Sequence, residues 1–452
     1  MKLDKITFIR PNMGDFRATD AMEPLVFAIL AARTPKHIQI AFYDERLEPL
    51  PLNEATDLVA ITVETFTARR AYQIADHYRS QGIAVIMGGY HPTLLPQECA
   101  PHADALVCGD AEGLWEQIIS DVQNNRLKPM YRHHGETPMD GPLPDRTLFQ
   151  NKKYAPIALV QFGRGCRFNC DFCSIHAFYG KRVFQRPLDL LVEEIRSLNT
   201  RHVFFVDDNL FSNVEKASAF CRAIMPLKIR WVCQVSIDVA RHEPLLELMQ
   251  QSGCFLALIG FESLQEKNLK QMHKKWNIKR DYSDAINKLQ QHNIMVYGTF
   301  IFGYDYDAPD AFDATLDFAL THRLFLANFN PLMPTPGTEL YERLQQEGRL
   351  RYPNWWIDPN YRYGNAMIEP KNMSCDELSR GCLRIRRRFY ATHSILKRST
   401  KMPRAFYKPF SLGLYFLSNF VSRREINNKQ NKALGGQVQV KLPAAVNGHQ
   451  SQ

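Results

Sequence analysis

Residues 157–179 read IALVQFGRGCRFNCDFCSIHAFY. The apolar, strand-like run IALVQF breaks at Gly163 into a loop that carries Cys166, Cys170 and Cys173 at the spacing C-x3-C-x2-C. Core packing gives no reason to gather three thiols within eight residues at a strand end. Structural zinc usually takes four ligands from paired C-x2-C or C/H knuckles, and no second C-x2-C or H-x3-H pair stands in this sequence. A cubane iron–sulfur cluster also takes four ligands, normally thiolates. Three cysteines leave one iron open to a small molecule, and a chelating amino and carboxylate pair there would set a sulfonium sulfur beside the cluster.

Outward from this loop, apolar runs alternate with helical patterns. HVFFVDD (202–208), RWVCQVSI (230–237), FLALIGFE (255–262), MVYGTFIFG (295–303) and LFLANFNPL (324–332) read as strands, with LDLLVEEIRSLN and PLLELMQQSG as helices between them. Repeated βα units predict a partial barrel with its chemistry at the C-terminal strand ends. Upstream, ITFIRP (6–11), IQIAFYD (38–44), LVAITV (58–63), IAVIMGG (83–89) and ALVCGD (105–110) alternate with helices, one of them closed by Gly82. That spacing predicts a doubly wound, mostly parallel sheet. The expected class is α/β. A doubly wound domain spans 1–132, a Pro- and Gly-rich linker 133–150 and a partial barrel 151–350. An aromatic and basic helical extension covers 351–425, and a polar, disordered tail 426–452.

The chain has 452 residues, 45% hydrophobic and 23% charged, which is ordinary globular composition. No uninterrupted run of 18 apolar residues predicts a membrane span, and the first residues lack a signal peptide's apolar core, so a cytoplasmic location is expected. Ten cysteines are too sparse for a disulfide scaffold in a chain this long. The 56 Lys+Arg against 47 Asp+Glu give +9, with much of the excess between Arg384 and Arg404. Beside the apolar PFSLGLYFLSNFV (409–421), this basic segment suits either an anionic membrane surface or a helix packed on the barrel with a solvated face. Neither aromatic platforms nor recognisable RNA-binding motifs point to nucleic acid.

At its three cysteines the sequence resembles the radical S-adenosylmethionine (SAM) superfamily, whose signature is C-x3-C-x2-C, and Phe172 matches that pattern too. The resemblance implies a [4Fe–4S] cluster on Cys166, Cys170 and Cys173, with SAM on the fourth iron and a 5′-deoxyadenosyl radical as the reactive product. It also implies cofactor contacts for Asp208, in the Asp207–Asp208 pair after one strand, and for Glu262 after another. A lone Asp such as Asp207 equally suits a helix N-cap.

A doubly wound domain ahead of such a barrel resembles the cobalamin-binding architecture. The resemblance implies a ligand at the strand C-termini, near Thr62, Thr65, Gly88, Gly89 and Thr93. The D-x-H-x-x-G motif that supplies a cobalt ligand is absent, so the cobalt would lack a protein histidine. His91, in GGYHPT, suits either a ligand or a loop histidine satisfied by backbone. The implied reaction is methyl transfer to an unactivated carbon of a small-molecule or lipid-like metabolite, with SAM used twice. The alternative is another radical outcome: ring formation, rearrangement or oxidation. A low-potential electron donor such as flavodoxin or ferredoxin is the expected partner.

Overall fold

The structure, a computed structural model, describes residues 2–133, 139–211, 213–278, 281–400, 404–407 and 409–436. Six strands form the first sheet: β1 (Lys5–Arg10), β2 (Gln39–Asp44), β3 (Leu58–Thr62), β4 (Ala84–Gly88), β5 (Ala105–Cys108) and β6 (Met130–Arg132). Their order is β2-β1-β3-β4-β5-β6, parallel throughout. Parallel strands are covered on both faces, which is why LVAIT and ALVC are continuous apolar runs instead of alternating ones. On one face Phe8 stacks on Phe27 at 5.2 Å and meets Trp115 at 5.7 Å. The helix Ala68–Ser80 ends as expected, with Gly82 at φ +76 just beyond it.

The remaining strands are β7 (Ala158–Val160), β8 (Gly163–Arg164), β9 (Phe184–Gln185), β10 (His202–Phe205), β11 (Arg230–Gln234), β12 (Cys254–Glu262), β13 (Met295–Phe302) and β14 (Leu326–Pro331). β8 and β9 make a small antiparallel pair. The others line up as β7-β10-β11-β12-β13-β14, in chain order and all parallel, as a partial barrel requires.

The C-terminal extension covers the edge strand β14. The helix Cys375–Phe389 starts in a capping box, Ser374 with Glu377, and collects Arg386–Arg388 in its last turn, where the helix dipole favours cations. From this helix the Arg386 Nε donates to Phe329 O at 2.7 Å, and Tyr390 Oη bonds both the amide and the carbonyl of Ala327 at 3.1 and 3.0 Å. An edge that would otherwise present unpaired backbone groups is thereby satisfied. Arg398, 2% exposed, lies 3.8 Å over the Phe389 ring and donates to Leu324 O and Asn419 Oδ1. Arg384 and Arg388 pair with Asp313. Much of the basic segment is thus occupied within the fold. The helix Pro409–Lys429 buries Tyr415 and Asn419 and exposes Leu417 and Phe420. Among the described residues no helix is long and apolar enough to cross a membrane.

One expectation needs correction. The disordered tail does not begin at 426: helix continues through Lys429, Ala433 bridges Arg362, and Leu434 is 1% exposed against the core, with Gly435 N donating to Met13 O at 2.9 Å. Apolar Leu434 finds a buried site that its polar neighbours do not announce. Residues 437–452 lie outside the described residues. At the end of the linker, Arg146 bonds Glu23 at 3.0 Å on one side and Glu194 at 2.7 Å on the other. Residues 134–138 within it are likewise outside the described residues.

Candidate active site

Each sheet presents its C-terminal strand ends to one region, and the thiol loop emerges there. After β8 the chain turns at Gly165, φ +82, where a Cβ would collide with Arg182 O. Cys166, Cys170 and Cys173 follow, all half-buried, and Cys173 caps the short helix Ser174–Tyr179. Burial raises all three thiols, Cys170 to about 12, although the Lys274 ammonium pulls Cys170 the other way. They become thiolates when a metal holds them. Among the described residues, no three His, Cys, Asp or Glu side chains converge as a single ion would require. A cubane asks for something else, one thiolate per iron, and three thiols spread along one turn suit it. Phe172, between the second and third cysteines, packs half-buried against the main core.

Two carboxylates shape this loop from β10. Asp207, 3% exposed, accepts from the amides of Phe162, at 3.0 Å, and of Gly163. Burial pushes it up to about 8. It caps no helix: Asn213 caps the following one, Val214–Ile224, by accepting from Lys216 N. Asp208, pushed up by burial to about 6, accepts from Gly165 N at 2.8 Å, so this candidate cofactor contact also holds the loop.

Glu262 ends β12 at a register shift, with φ +63, a strained conformation for a non-glycine residue. It is 8% exposed and binds Lys274 Nζ at 2.9 Å. Burial alone would lower Lys274; the carboxylate outweighs that and holds its ammonium above the ordinary value. A Cβ on Gly260 would strike Glu262 Oε1. Lys274 was not foreseen, since nothing in KKWNIK marks it as buried.

Three further residues escaped the sequence reading. Asp171 accepts from Tyr304 Oη at 2.8 Å, while its carbonyl receives Leu340 N at 3.0 Å, tying the thiol turn to a distant loop and to the first turn of the helix Glu339–Gln346. Asn209 reaches Cys166 Sγ at 3.9 Å and accepts from Ser236 N at 3.3 Å. The Ser236 hydroxyl is buried without a partner, a polar group that the protein itself leaves unused at a barrel strand end.

A cavity of about 390 Å³ opens between the first sheet and this loop. Thr62, Gly88 and Gly89 line it, together with Arg164 and Tyr179 from the barrel side. It lies at the switch point where β1 sits between β2 and β3, the usual ligand crevice of such sheets. Gly89, φ +109, brings its backbone so close to β3 that a Cβ would lie 2.9 Å from Val63 O. The structure does not place Thr65 and Thr93 on the wall. Thr65 opens the turn Thr65–Thr67, and the Thr93 hydroxyl bonds Gly89 O and Gly109 N. His91 is turned away too: it is fully buried against Tyr72 Oη at 3.0 Å and Glu98 at 3.2 Å. Within the cavity wall the Arg10 guanidinium holds the Glu64 carboxyl low, at an ion-pair distance of 2.9 Å.

The family profile described as "Radical SAM superfamily" matches residues 160–319. Two curated relatives come from Chlorobaculum tepidum. The bacteriochlorophyllide d C-12(1)-methyltransferase is 32% identical over 393 residues, 84% of this chain and 85% of that one. The bacteriochlorophyllide d C-8(2)-methyltransferase is 28% identical, over 73% of this chain and 78% of that one. Among solved structures, the radical SAM methyltransferase TsrM from Kitasatospora setae, with cobalamin and a [4Fe–4S] cluster bound, superposes with a TM-score of 0.62 at 15% identity. That match covers 95% of this chain and 99% of TsrM, and it shows a shared fold. The profile match over the thiol loop, with a relative so similar over most of both lengths, means that this chain belongs to the radical SAM superfamily.

Proposed function

We propose that this protein is a cobalamin-dependent radical SAM C-methyltransferase. In this reading Cys166, Cys170 and Cys173 each take one iron of a [4Fe–4S] cluster, SAM takes the remaining iron, and the inter-sheet cavity takes cobalamin. Residues 1–132 form the cobalamin unit and 151–350 the radical SAM unit. The observation that carries the reading is adjacency: the switch-point cavity of one sheet and the thiol loop of the other share Arg164 and Tyr179. Bound together, these groups would supply a radical able to take hydrogen from an unactivated carbon and a methyl group to replace it.

The chain's own part is to position and to exclude water. Asp207 and Asp208 fix the backbone before the first cysteine. The buried Lys274–Glu262 pair sets a fixed cation near Cys170. Support for methyl transfer comes from the two Chlorobaculum relatives and TsrM. The relatives' names also suggest the first substrate to try, a tetrapyrrole bearing alkyl groups, with flavodoxin or ferredoxin as reductant.

Anaerobic reconstitution followed by iron, sulfide and cobalt analysis tests the cofactors. Turnover of a chlorophyllide with deuteromethyl-labelled SAM tests the reaction: a product heavier by one labelled methyl group is expected. Loss of hydrogen without added carbon would mean ring formation or oxidation instead, and zinc-filled, iron-poor protein would overturn the reading altogether.

A further inference from the structure

We propose that Arg164 couples the inter-sheet cavity to the thiol loop, so that filling one changes the affinity of the other for its ligand. The inference rests on the reading that the cavity takes a corrin and the thiol loop a SAM-binding cluster. A run of hydrogen bonds, linked through the backbone of residues 109–112, joins the two. On the cavity wall the Gly89 carbonyl accepts from the Thr93 hydroxyl at 2.8 Å, and that hydroxyl accepts from Gly109 N at 2.9 Å. Gly109 opens the loop bearing Asp110 and Glu112. Those carboxylates grip the Arg164 guanidinium, Nη1 to Asp110 Oδ1 at 2.9 Å and Nη2 to Glu112 Oε1. The Nε of the same group donates to Gln161 Oε1 at 2.7 Å. Tyr179, just past the last cysteine, donates to Asp110 Oδ1 at 2.8 Å.

All three nitrogens of a planar, rigid fork are therefore engaged, and the group cannot follow one partner without moving against the others. On its other side the next residue, Gly165, is pinned by Asp208, and Cys166 follows directly. Arg164 and Glu112 are both buried, so salt screens the contact little. A buried ion pair is a poor adhesive, since apolar groups of similar volume hold surfaces together as well. What it adds over apolar packing is orientation. Arg164 acts as a positioning residue: its side chain belongs to the cavity wall and its backbone ends β8, the strand that leads directly into the thiol loop.

The test uses cluster-loaded protein under anaerobic conditions. SAM is titrated with and without saturating hydroxocobalamin, and binding is followed by the electron paramagnetic resonance signal of the reduced cluster. Because coupling is reciprocal, a single ratio of SAM Kd values measures it, and about fivefold or more is expected in the wild type. Arg164→Met should bring the ratio within about twofold of one. Thr93→Val, which removes the two bonds to Gly89 and Gly109 behind the cavity wall and leaves Arg164 itself intact, should lower it as well. Iron content and melting temperature report folding, and Thr93→Val decides the matter if Arg164→Met fails to fold. Hydroxocobalamin that binds the wild type without changing SAM affinity, or an unchanged ratio in the variants, overturns the coupling alone. Hydroxocobalamin that does not bind the wild type overturns the cofactor reading, and the coupling with it.

Discussion

The Tyr304 hydroxyl donates to the Asp171 carboxylate at 2.8 Å, across 133 positions of sequence, and both residues are buried. Asp171 stands between two of the three thiol-bearing positions, so this bond ties the thiol turn to the loop after β13. Tyr304→Phe removes the donor and leaves a buried carboxyl short of a partner, at about 1–3 kcal/mol. The expected outcome is a lower melting temperature and fewer irons per chain after reconstitution. Asp171→Asn, which can still accept from Tyr304, should retain more iron than Tyr304→Phe. Equal iron content in all three proteins would refute a positioning role for the bond.

Asp207 gives the fold a pH dependence of known sign. Burial raises its carboxyl from 3.8 to about 8, so the folded chain keeps a proton that the unfolded chain has released. Stability from this group is complete at low pH and declines as pH rises through that window. Asp207→Asn does not titrate. It should be the less stable protein at pH 5, since the amide NH2 faces a backbone donor, and should close at least about 1.4 kcal/mol of the gap by pH 8, one pKa unit's worth. Parallel melting curves at the two pH values would contradict this.

Lys274 and Glu262 are each about nine-tenths buried and bonded to one another. Removing one partner strands the other's charge, and breaking such a pair costs about 3–5 kcal/mol. Lys274→Met should therefore destabilise severely, whereas the double change Lys274→Met with Glu262→Gln should recover most of the loss. Chemical denaturation measures the difference. Additive effects of the two substitutions would mean that the pair is not coupled.

Gly89 and Gly82 share positive φ but differ in surroundings. A Cβ on Gly82 meets nothing within 4 Å, while one on Gly89 would lie 2.9 Å from Val63 O and 3.3 Å from Thr62 Oγ1. Gly82→Ala should cost only the strain of its backbone, about 1 kcal/mol. Gly89→Ala adds a steric clash and should displace the cavity wall, so hydroxocobalamin affinity falls about tenfold or more, a change of about 1.4 kcal/mol. Isothermal titration of both variants checks the contrast, and equal affinities would sink it.

Strand order along the chain, parallel sheets and the thiol loop at a strand end were all legible in the sequence, because each is written locally. Apolar runs bounded by glycine announce buried parallel strands, and C-x3-C-x2-C places three thiols on one turn whatever surrounds them. Gly82 closed its helix where its sequence context predicted. What the tertiary structure alone decided is which side chains meet. Arg164 finds Glu112 at a separation of 52 positions, Trp356 donates to Glu98 across 258, and Arg386 and Tyr390 satisfy an edge strand some 60 positions upstream. His91 turned to Tyr72, and Thr93 became a bracket, because the walls of a cavity are set by how two sheets pack. A residue's spacing in the chain carries its neighbours along the backbone; its partners across a core depend on every layer folded between them.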